Sequence, residues 1–179
     1  VIAFFVSNAI FGSGKRDRAR AAFINGQQFM IRGDLTQATS ELERAVSLGY
    51  GGEAQTYLSV AYELQSRDAD AKNMATQAQA TLKSRAKYML TLAAAYQDSG
   101  RQDLALAKLD ELIAALPKTE KAYLMRAEIY FAQNKPEEAA ADYTMASELG
   151  KTNRNEEVFN QAELRLDIVM KTLTPEAGS

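Results

Sequence analysis

The feature that most constrains this chain is a spacing kept four times. Gly26, Phe29, Ala38, Leu42 and Ala45 are separated by gaps of 3, 9, 4 and 3 residues. The same gaps separate Ser59, Tyr62, Ala71, Ala75 and Ala78, then Ala93, Tyr96, Ala105, Leu109 and Leu112, then Ala127, Tyr130, Ala139, Tyr143 and Ala146. Successive sets are offset by 33, 34 and 34 residues. Gaps of 3 and 4 place residues on one face of a helix. A gap of 9 is too long for one stripe without a break. The break is visible at Gly33-Asp34, Ser66-Arg67-Asp68, Ser99-Gly100 and Asn134-Lys135-Pro136, all of which carry turn residues. Each unit therefore reads as helix, tight turn, helix. A small residue in the first helix and an alanine opening the second let the two backbones approach. The aromatic fills the space beside that contact. Pro117 ends the second helix of the third unit, since it cannot continue one.

Composition agrees with an all-helical chain. The 179 residues are 46% hydrophobic and 25% charged, rich in alanine, leucine, glutamine and glutamate, with three prolines. That length suits a single domain with a sizeable core. There is no histidine and no cysteine, which removes the Ser-His-Asp and Cys-His nucleophile pairs, the common zinc sites and disulfides. A net charge of −2 supplies no field to recruit nucleic acid.

Beyond the fourth unit, Phe159, Ala162, Leu166, Val169 and Leu173 step by 3, 4, 3 and 4, with Glu156, Gln161, Glu163 and Lys171 on the other side. The pattern predicts one amphipathic helix from Glu156 to about Leu173. It suits the polar-faced cap that a repeat array needs at its end. Of the four units the second is the most degenerate, with Ala75 where a large residue is usual. Its second helix, from Ala71 to about Leu82, is predicted to be the weakest part of the array.

The four units, residues 19–153, resemble the tetratricopeptide repeat family. The resemblance implies an all-α, right-handed superhelical array of helix-turn-helix repeats. It divides the chain into an apolar segment with a Gly-Ser-Gly link over 1–14, repeats over 15–153, a capping helix over 154–173 and a tail over 174–179. It also implies protein partners held in a concave groove lined by the first helices, at positions 2, 5, 9, 12 and 13 of each unit. These are Arg20, Phe23, Gln27, Met30 and Ile31 in unit one, and Glu53, Thr56, Val60, Glu63 and Leu64 in unit two. Unit three offers Lys87, Leu90, Ala94, Gln97 and Asp98, and unit four Lys121, Leu124, Glu128, Phe131 and Ala132. Two uses compete for the apolar members Phe23, Leu64, Leu90, Leu124 and Phe131: packing against neighbouring helices, or lining an apolar groove that receives a partner segment. The Lys and Asn with which co-chaperone members of the family clamp a carboxylate are missing at the corresponding positions. Arg20, Lys87 and Lys121 read first as solvated charge, and second as contacts for an acidic partner.

Catalytic readings are weak. Glu137 and Glu138 follow Pro136 at a helix start, where acids suit the helix dipole, and Asp103 sits alike. No metal-ligand spacing appears, and no cofactor, small-molecule substrate or nucleic acid is implied. Gly-Ser-Gly-Lys at 12–15 is not a phosphate loop: Ala9 stands where the first glycine belongs, and Arg16 follows the lysine.

The run Val1 to Phe11 carries no charge, but its eleven residues fall short of the roughly twenty that span a bilayer. As the exit end of a membrane anchor, with Lys15, Arg16, Arg18 and Arg20 behind it, it would place the repeats in the cytoplasm. As a cap or self-binding segment, Ile2, Phe4, Phe5, Val6, Ile10 and Phe11 would cover the end of unit one or fill a neighbour's groove, in a periplasmic or soluble protein. The leading expectation is a non-catalytic, membrane-tethered scaffold holding components of a larger complex. The alternatives are a self-associating repeat protein and a regulatory subunit of an enzyme complex.

Overall fold

The computed structural model describes the backbone from Ile2 to Thr174 and the side chains from Gly14 to Thr174. Among the described residues there are nine α-helices and no strand. They are α1 Ile2–Ile31, α2 Leu35–Ser47, α3 Gly52–Leu64, α4 Asp68–Leu82, α5 Arg85–Asp98, α6 Gln102–Ala115, α7 Glu120–Ala132, α8 Pro136–Thr152 and α9 Glu156–Leu173. The chain divides into two compact units, Val1–Arg101 and Gln102–Ser179. The predicted all-α array of helix-turn-helix repeats is what the chain forms.

The four predicted breaks are one device used four times. Gly33, Ser66, Gly100 and Asn134 all have φ between 58° and 76°, in the left-handed region, and they share one repeat position. The next N–H turns back onto the carbonyl of the repeat's aromatic: Asp34 to Phe29, Arg67 to Tyr62, Arg101 to Tyr96 and Lys135 to Tyr130, at 2.8 to 3.0 Å. This closure of the last helical turn satisfies carbonyls the helix leaves open and aims the chain back on itself. Starts are fixed as well. Asp34 Oδ1 accepts from the Gln37 N–H, Ser84 Oγ from Lys87 and Asn155 Oδ1 from Val158, and Pro136 opens α8.

In the first unit α1 packs on α2 and α3 on α4, while α5 rests on α3 and α4 and also touches α1. The close approach expected at the small position is clear in α1: a β-carbon on Gly26 would fall 2.7 Å from Leu42 Cδ2. Leu42 is itself fully buried, a contribution of about 1.5–3 kcal/mol. Every residue of α3 from Thr56 to Tyr62 is buried, because α1, α2, α4 and α5 all pack on it. By contrast α4 buries only Ala78, as the degenerate pattern of this helix implied.

In the second unit α7 packs on α6, α8 and α9, and α8 on α9. Leu124, Ala127, Tyr143, Ala146, Val158, Ala162 and Val169 form its core. The capping helix covers the predicted residues with one difference. Glu156, Gln161, Glu163 and Lys171 are exposed as expected, but so are Leu164, Ile168 and Met170.

α1 runs through the Gly-Ser-Gly stretch without interruption. The side chains of Ile2, Phe4, Phe5, Val6, Ile10 and Phe11, and the residues beyond Thr174, lie outside those described. Among the described residues no helix is long and apolar enough to cross a membrane.

Candidate functional site

The positions that the family resemblance implies for partner contact separate into three groups. Arg20, Ile31, Lys87 and Lys121 are exposed. Gln27, Leu64, Leu90, Gln97, Glu128 and Phe131 are half-buried. Phe23, Met30, Val60 and Leu124 are buried, Val60 completely. The side chains of this last group are not presented to a partner in this structure.

Their burial has a specific cause in the first unit. Phe23 of α1 stacks on Tyr50, with ring centroids 4.5 Å apart, and meets Tyr57 of α3 edge-on at 5.2 Å. The Tyr57 hydroxyl donates to Asp98 Oδ2 of α5 at 2.8 Å. Three first helices are thus tied across the face that the resemblance implies for the groove. Burial pushes the Tyr57 hydroxyl well above its ordinary value, and the neighbouring Asp98 carboxylate adds to the shift. Burial also raises the Asp98 carboxyl, against the opposing effect of the Tyr57 hydrogen bond. Beside this closed centre, Lys87 Nζ of α5 meets Glu53 Oε1 of α3 at 3.0 Å. What remains accessible on α1 is a stripe of Arg20, Ile24 and Ile31, with Gln27 half-buried beside it.

In the second unit Leu124 and Phe131 of α7 pack into the core that α9 completes. Lys121 stands exposed, and Glu128 is half-buried. Burial raises the Glu128 carboxyl, partly offset by the positive charge of Arg165 on α9. The face left to a partner here is mixed in character, with a lysine, a half-buried carboxylate and the half-buried Phe131.

Sequence reasoning missed the strongest polar cluster. Arg126 binds Asp142 at two points, Nε to Oδ2 at 2.7 Å and Nη2 to Oδ1 at 2.8 Å, and reaches Asp110 Oδ1 with Nη1 at 2.6 Å. Its guanidinium also lies 5.7 Å from the Tyr123 ring centroid and 5.9 Å from that of Tyr130. The hydrogen bonds to Asp142 and Asp110 hold the guanidinium charged. Each of its three nitrogens donates to an internal carboxylate, so the cluster joins α6, α7 and α8. Among the described residues no group of His, Cys, Asp and Glu is arranged to hold a metal ion, and no buried side-chain N or O lacks a hydrogen bond.

These features define a class: an all-α protein built of helix-turn-helix repeats. No family model and no curated protein matches the sequence. Solved structures do. A crystal structure of MamA is 19% identical, covering 83% of this chain and 86% of its own, with a TM-score of 0.43. PilF of Pseudomonas aeruginosa is 16% identical, covering 87% and 78%, with a TM-score of 0.44. A tetratricopeptide repeat protein of Parabacteroides merdae is 17% identical, covering 90% and 68%, with a TM-score of 0.40.

Proposed function

We propose that this chain is a non-catalytic protein-interaction scaffold that docks partners on the first-helix faces of its repeats. The observation that carries this reading is the alternation of closed and open positions along those faces. The apolar members Phe23, Met30 and Val60 are absorbed into packing. The charged and flanking members Arg20, Ile31, Lys87 and Lys121 stay in solvent. Within each unit, exposed cations beside partly buried apolar side chains suit an acidic, amphipathic partner segment, and the complementary charge speeds and orients its docking.

Tethering to a membrane through residues 1–11, with the repeats on the cytoplasmic side, is part of the same proposal. It is favoured by the continuity of α1, which makes the apolar segment one helix with the first helix of unit one. The alternatives, in which that segment occupies a neighbouring groove or the chain regulates an enzyme complex, draw on no comparable observation.

Two experiments test the proposal. Partners cross-linked to the intact chain are identified, and their capture is then measured with Ile31→Glu and Lys121→Glu. Both sites are exposed, so helicity is unchanged and capture falls. Capture that survives both substitutions places the docking surface elsewhere. For the tether, the chain is expected to float with anionic lipid vesicles and to lose this behaviour when residues 1–11 are deleted. Equal flotation of both forms removes the tether from the proposal.

A further inference from the structure

The outer face of α9 carries a pattern that neither the repeats nor a capping role explains. Leu164 is 64% exposed and Ile168 is 38% exposed, one helical turn apart. Glu157, Gln161, Leu164, Ile168 and Lys171 are spaced by 4, 3, 4 and 3 residues, and all five are exposed. That is the seam spacing of a helix that packs lengthwise against another helix. It lies on an exposed flank of α9, about 120° round the helix from Val158, Ala162 and Val169, which face the core of the second unit. The seam is apolar at its centre, acidic at its beginning and basic at its end.

We infer that this seam is the contact between two copies of the chain, paired antiparallel about a two-fold axis at Leu164. In that arrangement Leu164 meets Leu164 of the second copy. Ile168 lies beside Leu164 and the aliphatic part of Gln161 of the second copy. Glu157 stands opposite Lys171, twice, once at each end. Charge order selects this partner and this direction. A parallel pairing sets Glu157 against Glu157 and Lys171 against Lys171, which is repulsive at both ends. A self-complementary patch of this kind is what a two-fold interface requires. From Glu157 to Lys171 the seam is about 21 Å long. Its two apolar layers make the dimer concentration-dependent rather than permanent. The pairing uses a different face from the first-helix positions proposed for partner docking and does not rest on that proposal.

Sedimentation equilibrium of the full chain over a wide concentration range tests it. The expected result is a monomer–dimer equilibrium that Leu164→Glu weakens by at least about tenfold. Lys171→Glu also weakens it, and Glu157→Lys combined with Lys171→Glu restores it. The restoring variant keeps the intrahelical contact of Lys171 with Asp167 broken, so recovery reports on pairing with Glu157 of the second copy. Circular dichroism of each variant is expected to match the wild type, since all the sites are exposed. A chain that remains monomeric at every concentration overturns the inference. So does a dimer that Leu164→Glu leaves intact, because the contact then lies on another surface. So does a double charge reversal that fails to restore pairing.

Discussion

Gly150 of α8 lies against the backbone of Phe159 in α9: a β-carbon at position 150 would fall 2.9 Å from the Phe159 nitrogen and 3.1 Å from its Cα. No side-chain rotation relieves such a contact, because the obstructing atoms are main chain. Gly150→Ala gains up to about 1 kcal/mol of helix propensity and loses about 1–3 kcal/mol to the forced separation of the two helices. The expected net effect is destabilisation, read from the midpoint of urea unfolding. Phe159→Ala, which trims only the ring, is not expected to rescue it. A stabilised Gly150→Ala variant would show that α8 and α9 are not in the register described.

The bidentate pair of Arg126 and Asp142 makes a sharper test of what holds the second unit. The Asp142 side chain is 8% exposed and that of Arg126 is 19% exposed. Removing one partner leaves a poorly solvated charge, so Asp142→Ala is expected to cost about 3 kcal/mol, the low end for a buried pair because Arg126 keeps Asp110. The double replacement Arg126→Met with Asp142→Leu removes both charges and is expected to recover most of that loss. Chemical denaturation of the two single variants and the double closes the cycle. A double variant as unstable as the sum of the singles would show that the charges do not act on each other.

The repeat beat was legible because it is local. Each turn residue, its aromatic and its opening alanine lie within ten positions of one another, and helix periodicity with turn chemistry fixes their relation. α9 was legible for the same reason. The openness of the first-helix faces was not. Whether Phe23 and Val60 meet solvent depends on how α1, α3 and α5 lie against one another. The bond that ties two of those helices joins Tyr57 to Asp98, 41 residues apart. No period in the sequence encodes that distance. The burial of Asp142 was hidden too, since an aspartate beside Tyr143 reads as solvated until Arg126 is placed against it. The exposed Leu164 and Ile168 did leave a trace, a spacing of 4, 3, 4 and 3 with Glu157, Gln161 and Lys171.

Alkaline titration probes the contacts between the first two repeats. The Tyr62 hydroxyl donates to Glu43 Oε1 at 2.7 Å. Burial, then the bond to Glu43 and its charge, push this phenol up to about 12 from 10.0. A raised folded value means that the neutral form is the one the fold accommodates. Its contribution is fully present below pH 10 and is lost as pH rises towards 12. Wild-type stability is therefore expected to fall across that window. Tyr62→Phe, less stable at neutral pH, is expected to lose less over the same range, so the two unfolding midpoints converge. Parallel curves would mean that Tyr62 titrates alike in the folded and unfolded chain.

The weakest element is expected to be α4. Only Ala78 of its 15 residues is buried, so little apolar area opposes the entropy of melting it. The helix also ends on Lys83 with φ 55°, a left-handed conformation that costs a side-chain-bearing residue about 1–2 kcal/mol. Amide hydrogen exchange is expected to be fast along α4 and slow along Thr56–Tyr62 of α3, which is buried on all sides. Lys83→Gly removes the strain at the helix end and is expected to slow exchange in α4 by up to about fivefold, an effect of roughly 1 kcal/mol. Because this is a local opening, protection elsewhere in the chain is expected to stay nearly unchanged. Uniform protection across α3 and α4 would instead make the two helices one cooperative block, and the sparse packing of α4 would then have no bearing on how the array opens.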